Sequence, residues 1–105
     1  MTVKITVEKE SKTRAASVKT QKKWVPERFR LIKGPNRCYS NADRLARSNK
    51  LLRMVEGITR IDKKDKWGEH AWCITPSGSV IDPYFRHRFP KEWHYIEYRA
   101  DGKLY

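Results

Sequence analysis

Cysteine is scarce in this 105-residue chain: there are two, Cys38 and Cys73. Without an apolar leader, two cysteines read as free thiols rather than as a disulfide framework. The first residues, Met1-Thr2-Val3-Lys4-Ile5-Thr6-Val7, hold no apolar stretch long enough for a secretion signal. A reducing cytoplasm is therefore the expected compartment, and it would keep Cys38 reactive. Runs of 18 or more apolar residues are missing too, which excludes a membrane-spanning helix, and no membrane partner is expected. Cys38, Cys73, His70, His87 and His94 carry enough ligand atoms for zinc. However, no CxxC or HxxxH pair supplies two ligands from one turn, so no metal or cofactor is expected. A phosphate loop, a GxGxxG fingerprint and a paired acidic motif are also absent.

Acidic residues are in short supply as well, 12 against 24 Lys and Arg, for a formal charge of +12. The excess is uneven: residues 1–37 carry 11 bases and 3 acids, residues 38–105 carry 13 and 9. A basic N-terminal arm on a more balanced body suits a polyanion, either nucleic acid or an acidic protein surface; a solvated tail is the plainer alternative. Lys12, Arg14, Lys19, Lys22 and Lys23 are the candidate polyanion contacts.

At 12.5 kDa the chain has room for one domain and a small core. Val3, Ile5 and Val7 alternate with polar residues, as in a short strand. From Lys9 to Lys23 there are six bases, one acid and no periodic apolar face. Residues 1–23 thus read as a basic strand and mobile arm, and residues 24–105 as a compact domain. After Gly34-Pro35, Asn36 is a candidate N-cap, and Cys38, Ala42, Leu45, Ala46 and Asn49 share one helical face. Residues 51–61 read as a strand with a kink at Gly57, 62–68 as a charged loop, and 71–75 and 80–82 as a hairpin about Pro76-Ser77-Gly78-Ser79. Residues 93–99 form a last strand before an Asp101-Gly102 turn. The expected class is α+β: one main helix, with Cys38 at its N-terminus, packed on a small antiparallel sheet.

With Asn36 as N-cap, Cys38 is the second helical residue, where free N–H groups and the helix dipole favour a thiolate. The Cys38 N–H and the Asn36 side chain are candidate oxyanion donors. His70 and Asp82 flank the hairpin, opposed or diagonal to one another, so the carboxylate can orient the imidazole toward the thiol. Each residue also has a plainer role: Cys38 filling the helix face, His70 as a satisfied surface histidine, Asp82 capping the Asp-Pro turn. Trp72 shares the face of His70 and can wall the thiol from water or serve as core. Cys73 faces the other side and reads as core. The aromatic and basic mixture of residues 84–89 fits a core edge better than a nucleic-acid surface.

Asn36-Arg37-Cys38-Tyr39, His70-Ala71-Trp72 and Asp82-Pro83, in that order, resemble the transglutaminase-like branch of the papain-type cysteine enzymes over residues 34–85. Cys-Tyr-x-Asn-Ala after Gly-Pro-Asn adds to the likeness. Matched residue by residue, it implies nucleophile Cys38, base His70 and orienter Asp82 on a minimal papain-like or transglutaminase-like core. The chain differs in its brevity, with 31 residues between Cys38 and His70, and in lacking a tryptophan or glutamine just ahead of the cysteine. The function so implied is a small cysteine hydrolase or acyltransferase acting on a protein or peptide. The alternative is a non-catalytic basic module for nucleic acid or an acidic protein, of the kind phages and mobile elements carry as accessory proteins.

Overall fold

The computed structural model describes residues 2–3, 14–15, 21, 23–34, 37–61, 67–84 and 93–105. In chain order the elements are β1 (Thr2–Val3), β2 (Arg14–Ala15), α1 (Cys38–Ser48), β3 (Arg53–Ile61), β4 (Trp67–Ile74), β5 (Val80–Ile81) and β6 (Trp93–Glu97). All pairings are antiparallel, in the order β1-β4-β3-β6-β2 with β5 on β4. The α+β class follows. No helix among the described residues is long and apolar enough to cross a membrane.

Eleven residues make a helix about 16 Å long, too short to persist alone. Packing holds it: Ala42 and Leu45 are fully buried with Ala71, Cys73 and Ile81. Burying a side chain such as Leu45 contributes ~1.5–3 kcal/mol. Period-two alternation then divides the sheet. Ala71 and Cys73 face the helix, whereas Trp72, Ile74, Val55, Val80 and Tyr95 form a cluster on the other face.

Three details differ from the sequence reading. The helix is preceded by Arg37 as N-cap (φ −100°, ψ 0°), with no side-chain cap, so Cys38 is its first residue rather than its second. Asn36 lies outside the described residues. β4 starts at Trp67, within the stretch expected to be a charged loop, because Trp67 is buried with Ile58 and Ile96 and pairs with Val3. Gly57 answers to crowding: a Cβ there would meet the Ile96 carbonyl oxygen and come within 2.6 Å of the Trp72 ring. Only glycine lets β6 and Trp72 approach so closely.

The body also reaches back beyond residue 24. Arg14–Ala15 pairs with His94 and Tyr95, and the Gln21 side chain is fully buried. Lys23 is exposed; Lys12, Lys19 and Lys22 lie outside the described residues.

Candidate active site

Along one edge of β4 the pairing with β1 ends at Gly68 and that with β5 begins at Cys73. Between them, no strand among the described residues pairs with Glu69–Trp72 on that side. On the other side Ala71 is opposite Glu56, whose carbonyl turns away to accept from the Tyr98 N–H at 2.9 Å. In an antiparallel ladder such a pair directs its backbone groups away from one another, so the Ala71 N–H points to that edge. There it faces the sulfur of Cys38, whose pKa is lowered chiefly by His70 and further by the Ala71 and Tyr39 N–H groups. The first residue of the helix thus fills the gap in the sheet edge.

Asp82 follows β5. Extending the Cys73↔Ile81 register by one pair sets it opposite Trp72 and diagonal to His70. His70 Nε2 lies 2.7 Å from Asp82 Oδ2. With Nε2 so engaged, the hydrogen bond to the Cys38 thiol falls to Nδ1. The three residues singled out in the sequence therefore converge, with the imidazole in the middle.

The carboxylate has no exposed surface. A buried charge is tolerable only with partners on its lone pairs. The Tyr95 hydroxyl donates to Oδ2 at 2.8 Å and the Tyr84 N–H to Oδ1 at 3.0 Å. Gln21 fixes the backbone around it: its Oε1 accepts from the Asp82 N–H at 2.7 Å and its Nε2 donates to the Val80 carbonyl at 2.9 Å. The His70 ring stacks on Trp72 at 6.1 Å and tilts against Tyr84 at 5.6 Å. Trp72 itself is 1% exposed and braces the imidazole from the core side, while Tyr39 stands beside the thiol.

These contacts set the charges. Burial opposes the imidazolium, but the Asp82 carboxylate, and then the Cys38 thiol, overcome it and raise His70 from 6.5 to about 10. The His70 hydrogen bond lowers the Cys38 pKa; burial raises it, and the imidazolium charge and the Ala71 and Tyr39 N–H groups lower it further. Opposite shifts in touching groups favour a thiolate–imidazolium pair. Cys73 is pushed up to about 12, chiefly by burial, and donates to the Ala42 carbonyl at 3.2 Å.

Sequence reasoning missed Asn41, Tyr84, Tyr95 and Gln21. Asn41, fully buried, accepts from the Ile32 N–H at 2.8 Å and donates to the Ile32 and Arg37 carbonyls at 3.0 and 2.9 Å, tying the entering chain to the helix. Its position three after the cysteine was visible in the Cys-Tyr-x-Asn-Ala wording. Tyr84 was reachable through the Asp-Pro turn, which offers its N–H to the Asp82 carboxylate. Tyr95 and Gln21 leave no local signal.

The half-buried thiol opens into a cleft of about 370 Å³. Its floor is the helix-side face of the sheet beyond the N-terminus of α1, with Glu56, Glu69 and Tyr98. Burial, then the charges of Glu69 and Glu56, raise the Tyr98 pKa. Among the described residues neither carboxylate has an ion-pair partner, and no cluster of three His, Cys, Asp or Glu side chains could hold a metal.

Comparison with protein-family models, with curated proteins and with solved structures returned no match.

Proposed function

We propose that this chain is a cysteine-dependent acyl-transfer enzyme, a hydrolase or an acyltransferase, acting on a protein or peptide. One observation carries the reading: His70 holds Asp82 on Nε2 and the Cys38 thiol on its other nitrogen, at the mouth of an open cleft. A surface histidine or a core cysteine would need neither the buried carboxylate partner nor a thiol beside the imidazole. The order Cys, His, Asp and the helix, strand and strand end that supply them support likeness to a transglutaminase-like core.

In this reading the Cys38 thiolate attacks an amide or ester carbonyl carbon, forming a C–S bond. The helix-start N–H of Cys38 has no intrahelical acceptor and is available to stabilise the oxyanion. His70 Nδ1–H delivers its proton to the leaving nitrogen or oxygen as that bond breaks, leaving a thioester. Neutral His70 then takes a proton from water or an amine, which attacks the thioester and releases the thiolate. Asp82 keeps the ring in one orientation throughout.

An activated ester tests this. An initial burst of one acyl group per chain is expected, with the label on Cys38. Cys38→Ala should abolish it, Cys73→Ser should retain it, and His70→Ala should slow it by ~10²–10⁴. Acylation that persists in Cys38→Ala would sink the proposal.

A further inference from the structure

A second feature lies toward the far end of α1, about 15 Å along the helix from Cys38 to Ser48. A groove of about 290 Å³ runs between the chain at residues 24–30 and the helix, with Trp24 and Phe29 in its walls and Arg28, Arg30 and Arg44 along it. Both aromatics rest on the core and keep part of their surface exposed. Arg44 is fixed: its Nη1 donates to the Arg30 carbonyl at 2.8 Å, and its guanidinium sits 4.9 Å from the centroid of the Phe29 ring. Among the described residues these three arginines have no carboxylate partner, whereas Arg47 on the next turn is paired with Asp43 at 2.9 Å.

We infer that this groove binds single-stranded nucleic acid. Among the described residues no carboxylate balances these three exposed charges, so they favour an anion, and they exceed the roughly half a negative charge at a helix C-terminus. The aromatic walls choose among anions. The Arg44 guanidinium, 4.9 Å from the Phe29 ring centroid, and the partly exposed Trp24 are groups on which a planar partner can stack. Unpaired bases supply such faces with phosphates alongside; acidic peptides and lipid headgroups bring the charge alone, and duplexes keep their base faces stacked inside. The inference is independent of the chemistry at Cys38 and distinct from the expectation for Lys12, Arg14, Lys19, Lys22 and Lys23.

The test is anisotropy of a labelled oligothymidylate, and of a duplex of equal length, against the full chain across a salt series. Single-strand binding should be tighter by about tenfold or more, the scale of one stacked base. Arg28→Gln/Arg30→Gln/Arg44→Gln should reduce the slope of log affinity against log salt by about 2, three phosphates at ~0.7 each. The triple Arg→Lys variant separates charge from stacking: it should keep the slope and lose the preference for single strands. Circular dichroism and an unchanged Cys38 alkylation rate confirm that each variant is folded. An unaltered salt slope in the glutamine variant, or duplex, heparin or an acidic peptide bound as tightly as the single strand, overturns the inference.

Discussion

His70 and Asp82 are diagonal neighbours across β4 and the end of β5, joined at 2.7 Å through Nε2 and a fully buried carboxylate oxygen. Because Asp82 occupies that nitrogen, Nδ1 is turned to Cys38 at the edge of the sheet. Hairpin length, strand register and the helix start combine to favour a charge pair that none of the three residues would sustain alone.

Cys38 alkylation should report that pair directly. With iodoacetamide at neutral pH, Cys38 is expected to react orders of magnitude faster than Cys73, whose thiol is held up to about 12 by burial. The Cys38 profile should have its midpoint below the ordinary 9.0, because its pKa is lowered. His70→Ala removes the main lowering influence while burial remains, so the midpoint should move upward. Faster labelling of Cys73, or an unchanged profile in His70→Ala, contradicts the assigned roles.

The same shifts fix how stability depends on pH. A raised His70 pKa stabilises the folded state fully below 6.5, and that contribution is lost as pH rises toward the folded value near 10. A lowered Cys38 pKa works oppositely, stabilising above 9.0 and fading as pH falls through its folded value. In the intact pair the two proton counts offset one another over the neutral range. Cys38→Ala exposes the histidine alone: denaturant unfolding should give a plateau below pH 6.5 and declining stability above it. Asp82→Asn in that background should flatten the decline, since burial without the carboxylate no longer favours the imidazolium. A decline of equal size in both proteins would mean that another group carries it.

Gly57→Ala tests the packing behind the site. The new methyl would collide with the Ile96 carbonyl and lie 2.6 Å from Trp72 and 2.8 Å from the Glu97 Cα. Two of these are backbone atoms of β6, so relief requires β3 and β6 to part. A loss of about 2–3 kcal/mol is expected, near the upper end for overpacking, which is a fall in Tm of ~8–20 °C for a domain of this size. Thermal unfolding within a degree or two of wild type would show that the strands yield easily.

Legibility in the sequence followed the range of the interactions. Cys38 at a helix start, and His70 twelve residues before Asp82 across a hairpin, are local patterns, and helical and strand periods suffice to reach them. The helix start itself was misjudged by one residue, because Asn36 carries the usual capping chemistry while Arg37 occupies the N-cap without a side-chain bond. Gln21 was lost among basic residues, for its partners are 59 and 61 positions away. Tyr95 binds Asp82 from a strand 13 residues on, where nothing in the local spacing distinguishes it from any alternating aromatic. Trp67 gave strand to a stretch whose charges suggested loop, because its burial outweighs the local composition.

The cleft should also be selective for charge. Glu56 and Glu69 line it in a chain of net +12, while the His70 imidazolium is already balanced by Asp82 and the thiolate. Exposed carboxylates several ångströms away are each worth about 1 kcal/mol or less to an arriving cation at low salt. A cationic methanethiosulfonate should therefore modify Cys38 some 5- to 20-fold faster than an anionic one of equal size. The ratio should approach unity near 1 M salt, where the screening length is about 3 Å. Glu56→Gln/Glu69→Gln should remove the preference at low salt and leave the rate of a neutral reagent unchanged, because neither carboxylate touches the thiol. An anionic reagent that wins at low salt would mean that the basic surface, not the cleft floor, sets the potential at Cys38.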